Sequence, residues 1–160
     1  MRLQISLAGD VQLDRQLLRF ADRTDDMTAP FTAIAADLTK VEKSQFRTQG
    51  RYSGGWEALS PRYAARKARK YPGAKILHAD GTLEASLTRD GARGAVREIT
   101  RDSLTYGTTV EYAKYHQLGT SVMPRRRPLE LTANKRRQYT RALLRYLTTG
   151  EVTANGKATS

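Results

Sequence analysis

The side chains able to do acid–base or metal chemistry are sparse. The 160 residues contain two histidines, His78 and His116, and no cysteine, and their carboxylates show neither the H-E-x-x-H arrangement nor the spacing of an EF-hand. A single imidazole in a helix reads more simply as a surface or interface group hydrogen-bonded to a neighbour than as a catalyst. The glycine-rich run Tyr52-Ser53-Gly54-Gly55-Trp56 lacks the layout that cradles a phosphate, and it reads as a hinge. These residues point away from an enzyme and call for no cofactor and no metal.

The chemistry the chain does offer is cationic. Arg66, Lys67, Arg69, Lys70, Lys135, Arg136 and Arg137 are interleaved with Tyr63, Tyr71 and Tyr139, a mixture able to hold phosphates and stack on bases. The simpler alternative is a solvated helix face. No helix-turn-helix or zinc-finger signature accompanies the cluster, so contact with DNA would be with its backbone and without sequence preference. The second candidate is Pro124-Arg125-Arg126-Arg127-Pro128. Two prolines stiffen this loop, so three guanidinium groups are expected to be presented to a carboxylate-rich partner with little ordering entropy left to lose.

Composition sets the frame. A net charge of +12 is unevenly placed: residues 1–50 balance seven Lys/Arg with seven Asp/Glu, residues 51–100 carry ten against five, and residues 101–160 eleven against four. Such a surface steers towards nucleic acid, an anionic membrane or an acidic protein face. At 39% hydrophobic the chain suits one domain with a modest core. The absence of cysteine fits assembly in a reducing cytoplasm. Neither a signal-peptide apolar region nor a run approaching the roughly 20 residues of a membrane span is visible, which predicts a soluble protein.

The elements that must position these residues follow from periodicity. Met1 to Leu7 alternates as a half-buried strand, and Asp10 can cap a helix with Leu13, Leu17, Phe20 and Ala21 on one face. After a break at Thr24-Asp25-Asp26, a second helix begins near Pro30 and runs through Phe31, Ile34, Ala35, Leu38, Val41 and Gln45 to a stop at Gly50; the two are expected to pack together. Ser60-Pro61 starts a third helix that ends before Pro72-Gly73, and Asp80 or Thr82 caps a short one bearing Leu83 and Leu87. Residues 95–100 and 104–110 predict a hairpin. A last helix from Thr132 places Tyr139, Ala142, Leu143, Tyr146 and Leu147 on one side and Arg137, Arg141 and Arg145 on another. The prediction is an α+β fold, a small antiparallel sheet packed with three or four helices and an extended interaction loop. One domain spans residues 1–147, and residues 148–160 form a flexible C-terminal tail.

Four stretches, in order, resemble the phage virion-morphogenesis, or tail-completion, family of Mu-like phages. Trp56-Glu57-Ala58-Leu59-Ser60-Pro61-Arg62-Tyr63 with Lys67 is similar to its tryptophan followed by "pLsp.Y...K". Ile76 to Ser86 is similar to "iL..tG.L..s", with Asp80 where threonine is common. Tyr112, Ala113, His116, Gln117 and Gly119 match "YA..HQ.G", and Pro124 to Leu131 aligns with "PaRpfLgl", Arg126 taking the place of the family arginine while Arg127 and Pro128 replace the usual proline and phenylalanine.

The resemblance implies a structural virion protein of the neck or tail top that completes the tail or joins it to the DNA-filled head, assembled in the host cytoplasm. It implies a homo-oligomeric ring, with six copies, that meets other neck, connector or tail proteins and no membrane. Tyr112, His116, Gln117, Pro124, Arg125, Arg126, Arg127 and Pro128 are then the expected partner or subunit interface. Arg66, Lys67, Arg69, Lys70, Lys135, Arg136 and Arg137 are the expected contacts to DNA or an acidic surface. The alternative is a nonspecific DNA-binding or packaging-associated phage protein.

Overall fold

A computed structural model describes residues 11–51 and 54–154. The predicted strand at Met1–Leu7 and the Asp10 cap lie outside these residues. Among them the chain forms six helices and one two-stranded antiparallel sheet: α1 (Val11–Asp25), α2 (Thr28–Arg47), α3 (Pro61–Lys70), α4 (Thr82–Thr88), β1 (Ala95–Ile99), β2 (Leu104–Thr108), α5 (Ala113–Leu118) and α6 (Ala133–Thr149). The fold is α+β, as expected, with more helices than the three or four anticipated. Ala95 pairs with Thr108 and Ile99 with Leu104, and α2 and α4 pack against the hairpin.

The core forms where these elements meet. Phe46, Trp56, Leu83, Leu87 and Ala113 make one buried cluster, flanked by Ile76, Leu77, Tyr106, Val110 and Leu129. Phe46 and Trp56 meet edge to face with ring centroids 5.3 Å apart, a geometry aromatic pairs favour. Gly50 makes this possible: in the turn that follows α2 it takes φ +79°, and a Cβ there would lie 2.3 Å from Trp56 Cδ1.

A half-buried cation ties the hairpin to α4. Arg97 lies 3.5 Å from the centre of the Tyr106 ring and donates from Nη2 to the Leu87 carbonyl at 2.7 Å and from Nη1 to Gly107 at 3.1 Å. Tyr106 Oη donates to the same Leu87 carbonyl at 2.6 Å. The last carbonyls of a helix lack intrahelical donors, and here a guanidinium and a phenol supply them. Glu42 of α2 is 1% exposed and neither carboxyl oxygen has a hydrogen-bond partner among the described residues. Burial raises its pKa to about 8 despite the nearby Arg97 charge, so the buried side chain is held as the neutral acid at pH 7.

One expectation about the ends of the chain needs correction. α1 lies against α6 rather than pairing with α2: Arg23 Nη1 donates to the Leu147 carbonyl at 3.0 Å and Tyr146 Oη to the Asp26 carbonyl at 3.0 Å. Leu17, Phe20 and Ala21, expected to face that partner, are exposed, as is Leu18. Helical periodicity defines a face but not what covers it. At the other end, α6 runs to Thr149 and is closed by Gly150 at φ +81°; beyond it Glu151 and Val152 are exposed and Thr153 is buried.

Candidate functional site

Three separated segments converge around the proline-arginine loop. α5 is one turn and a half long, and its amides and carbonyls are used to hold the loop rather than to extend the helix. Gln117 brackets Leu129: its Nε2 donates to the Leu129 carbonyl at 2.9 Å and its Oε1 accepts from the Leu129 amide at 3.4 Å. One residue type with a donor and an acceptor in a plane reproduces the pairing of a strand. The Arg126 amide donates to the His116 carbonyl at 2.9 Å. Gly119, at φ +77°, lets the returning chain pass so close that a Cβ would sit 3.1 Å from the Arg125 nitrogen.

The indole fastens the other side. Trp56 Nε1 donates to the Arg127 carbonyl at 3.0 Å, and Arg126 reaches back to the same strand of chain, Nε donating to the Glu57 carbonyl at 2.5 Å and Nη2 to the Ala58 carbonyl at 2.8 Å. Tyr112, His116, Gln117 and residues 124–128 are thus brought into one structure. The expected presentation of three guanidinium groups is not what forms. Arg126 is 5% exposed and Pro128 is buried; Arg127 is half-buried and pairs with Glu130; only Arg125 is exposed. A buried guanidinium needs acceptors, and two backbone carbonyls from a distant segment supply them.

A cleft of about 630 Å³ opens beside this clamp, lined among others by Tyr63, Lys67, Asp80, Tyr112, His116 and Arg126. Tyr112 and His116 meet edge to face at 6.1 Å. Burial, followed by the Arg126 and Lys67 charges, holds the His116 imidazole below its usual pKa and therefore neutral at pH 7. Leu77, on the cleft wall, has φ +58°, a left-handed conformation that costs a leucine energy and is kept only where surrounding packing enforces it.

The basic candidates separate into two kinds. Arg66, Arg69 and Lys70 are exposed on α3, whereas Lys67, expected among them, turns inward, is 8% exposed and donates from Nζ to the Lys75 carbonyl. Its pKa is lowered first by burial and then by Arg126. Lys135 faces α2, where Asp37 Oδ2 accepts from Lys135 Nζ at 2.6 Å and from Tyr139 Oη at 2.7 Å. Arg136 and Arg137 are exposed, the latter bonded to Asn134. Sequence reasoning missed Arg97, Glu42 and the Glu57–Ala58 carbonyls, because nothing local marks a charged side chain as buried.

The profile of a known family, described as the phage virion morphogenesis family, matches residues 9–150. The chain belongs to the phage virion morphogenesis family. No curated protein and no solved structure gives a significant match. Membership makes this a phage protein of virion structure or assembly. The match spans every element from α1 to α6 and so includes the clamp and the cleft of this virion morphogenesis protein. Among the described residues, no helix is long and apolar enough to cross a membrane, and no three His, Asp or Glu side chains are grouped to hold a metal.

Proposed function

We propose that the protein is a structural component of the phage neck or tail top, completing the tail or joining it to the DNA-filled head as a homo-oligomeric ring, with six copies. The observation that supports this is an apolar edge beside the clamp. Thr120 and Met123 pair across a tight turn, the Thr120 amide donating to the Met123 carbonyl at 2.8 Å, and Val122 at its tip is 92% exposed. Leu118 is 75% exposed and Tyr115 and Tyr112 also face outward, with Arg125 beside them.

A single exposed apolar residue means little, but a cluster on a braced turn is suited to contact. Inserted against a different surface of the next copy, such an edge makes a heterologous contact that closes into a ring when the rotation divides the circle. The interface is therefore centred on Tyr115, Leu118, Val122 and Arg125, and the rest of the arginine loop braces it from within.

A density map of the intact particle tests this reading. Copies of the chain in a ring on the tail axis, with residues 118–125 at the subunit contact, are expected. Particles that lack the chain would make it a transient assembly factor and contradict a place in the neck.

A further inference from the structure

α3 carries a surface that the apolar edge does not use. Its 10 residues include Arg62, Arg66, Lys67, Arg69 and Lys70 and no acid. Lys67 turns inward, and the other four are exposed. At 3.6 residues per turn, Arg69, Arg62, Arg66 and Lys70 share an arc of about 100°, and Arg62 to Arg69 spans about 10 Å along the axis. Arg62 with Arg66, and Arg66 with Lys70, are like charges four residues apart, an arrangement that destabilises a helix. None of the four has a carboxylate partner among the described residues. Arg66 lies 5.1 Å from the Tyr63 ring centre and Lys70 5.3 Å from that of Tyr71.

We propose that this face of α3 binds the phosphate backbone of double-stranded DNA without sequence preference. Charge complementarity selects the partner. The duplex presents about one negative charge per 1.7 Å of axis, so about six lie along the length of the stripe, enough to engage all four cations. A protein interface of this kind would need a desolvated apolar or aromatic centre and charges of both signs to fix register. The stripe has no acid, and its one aromatic ring, Tyr63, lies under Arg66 at 5.1 Å, with Ala65 and Ser60 completing the groove that Arg62, Arg69 and Lys70 also line. Backbone contact needs only the cations, and the half-exposed Tyr63 offers a flat surface to the sugar edge.

The inference stands apart from the neck reading and is tested on the full chain alone, by anisotropy of a labelled duplex of about 30 base pairs across a range of NaCl concentrations. Wild type is expected to bind two unrelated sequences equally, with log K falling steeply against log salt. Four phosphate contacts contribute a slope of about −3.6, so Arg62→Ala/Arg66→Ala/Arg69→Ala/Lys70→Ala should be shallower by about 3–4 per bound subunit. Its thermal midpoint should hold or rise, since repulsion is relieved. Replacing Arg125, Arg136 and Arg137 by alanine instead should leave the contribution of α3 in place. An unchanged slope in the quadruple variant overturns the proposal. So does wild type that ignores the duplex at 50 mM salt, and binding to polyglutamate but not DNA would assign the stripe to an acidic protein.

Discussion

Arg125, Arg126 and Arg127 are identical in sequence and different in every physical respect. Arg125 is solvated, Arg127 is paired with Glu130, and Arg126 is buried in the cleft wall with two carbonyls as partners. Truncating Arg126 leaves those carbonyls without donors, and Arg126→Ala is expected to cost about 2–4 kcal/mol in urea unfolding, while Arg125→Ala stays within about 0.5 kcal/mol. Equal midpoints for the two variants would show that the buried contacts contribute nothing. A triple-alanine variant of this loop is therefore a folding mutant, contrary to what an exposed cluster implies.

Glu42 makes a prediction of opposite kind. With its folded pKa near 8 and an unfolded value of 4.5, the native state keeps a proton that the unfolded chain releases between those values. Stability from this group is fully present below pH 4.5, falls as pH rises through the window and levels off above 8. The full swing is on the order of 5 kcal/mol. Glu42→Gln should remove this slope, so its advantage over wild type grows from pH 5 to pH 8 in thermal melts. His116 acts in the other direction, its depressed pKa withdrawing stability as pH drops below 6.5, which is why the comparison with the Gln variant isolates Glu42. A difference between the two proteins that does not change with pH contradicts a neutral buried carboxyl.

At the scale of elements, the stop at Gly50 and the clamp from α5 decide where the loop lies. Gly50→Ala places a methyl inside the indole and forces a left-handed alanine, with an expected loss of about 2–4 kcal/mol in urea unfolding. A loss below about 0.5 kcal/mol would show that Trp56 does not pack as described. Gln117→Ala removes both bonds to Leu129. Amide exchange across residues 124–131 should then rise while that of α2 is unaffected, and unchanged protection of the loop would show that the clamp does not hold it.

Much of this architecture was legible where local signals suffice. Thr132, whose hydroxyl accepts from the Lys135 amide at 3.3 Å, and the periodicity of Tyr139 and Ala142 mark α6. The hairpin and the break between α1 and α2 follow from the same kind of reading. What could not be read is which charged residues turn inward. Lys67, Arg97 and Arg126 all bond backbone carbonyls whose position depends on the folded chain, and charged residues are expected outside. The mistaken pairing of α1 with α2 has the same origin, because the partner of an apolar face is a tertiary fact.

For the whole molecule, family membership makes this a protein of phage virion structure or assembly, and the braced apolar edge supports the proposed place at the neck or tail top. The positive charge of residues 51–160 adds a second surface on α3 without altering that role. Electron microscopy of a lysate from phage lacking the gene tests the claim most directly. Filled heads and tails that remain unjoined, or tails of defective length and end structure, are the expected result. Intact, joined particles would contradict the assignment, and empty heads beside normal free tails would move the protein to packaging.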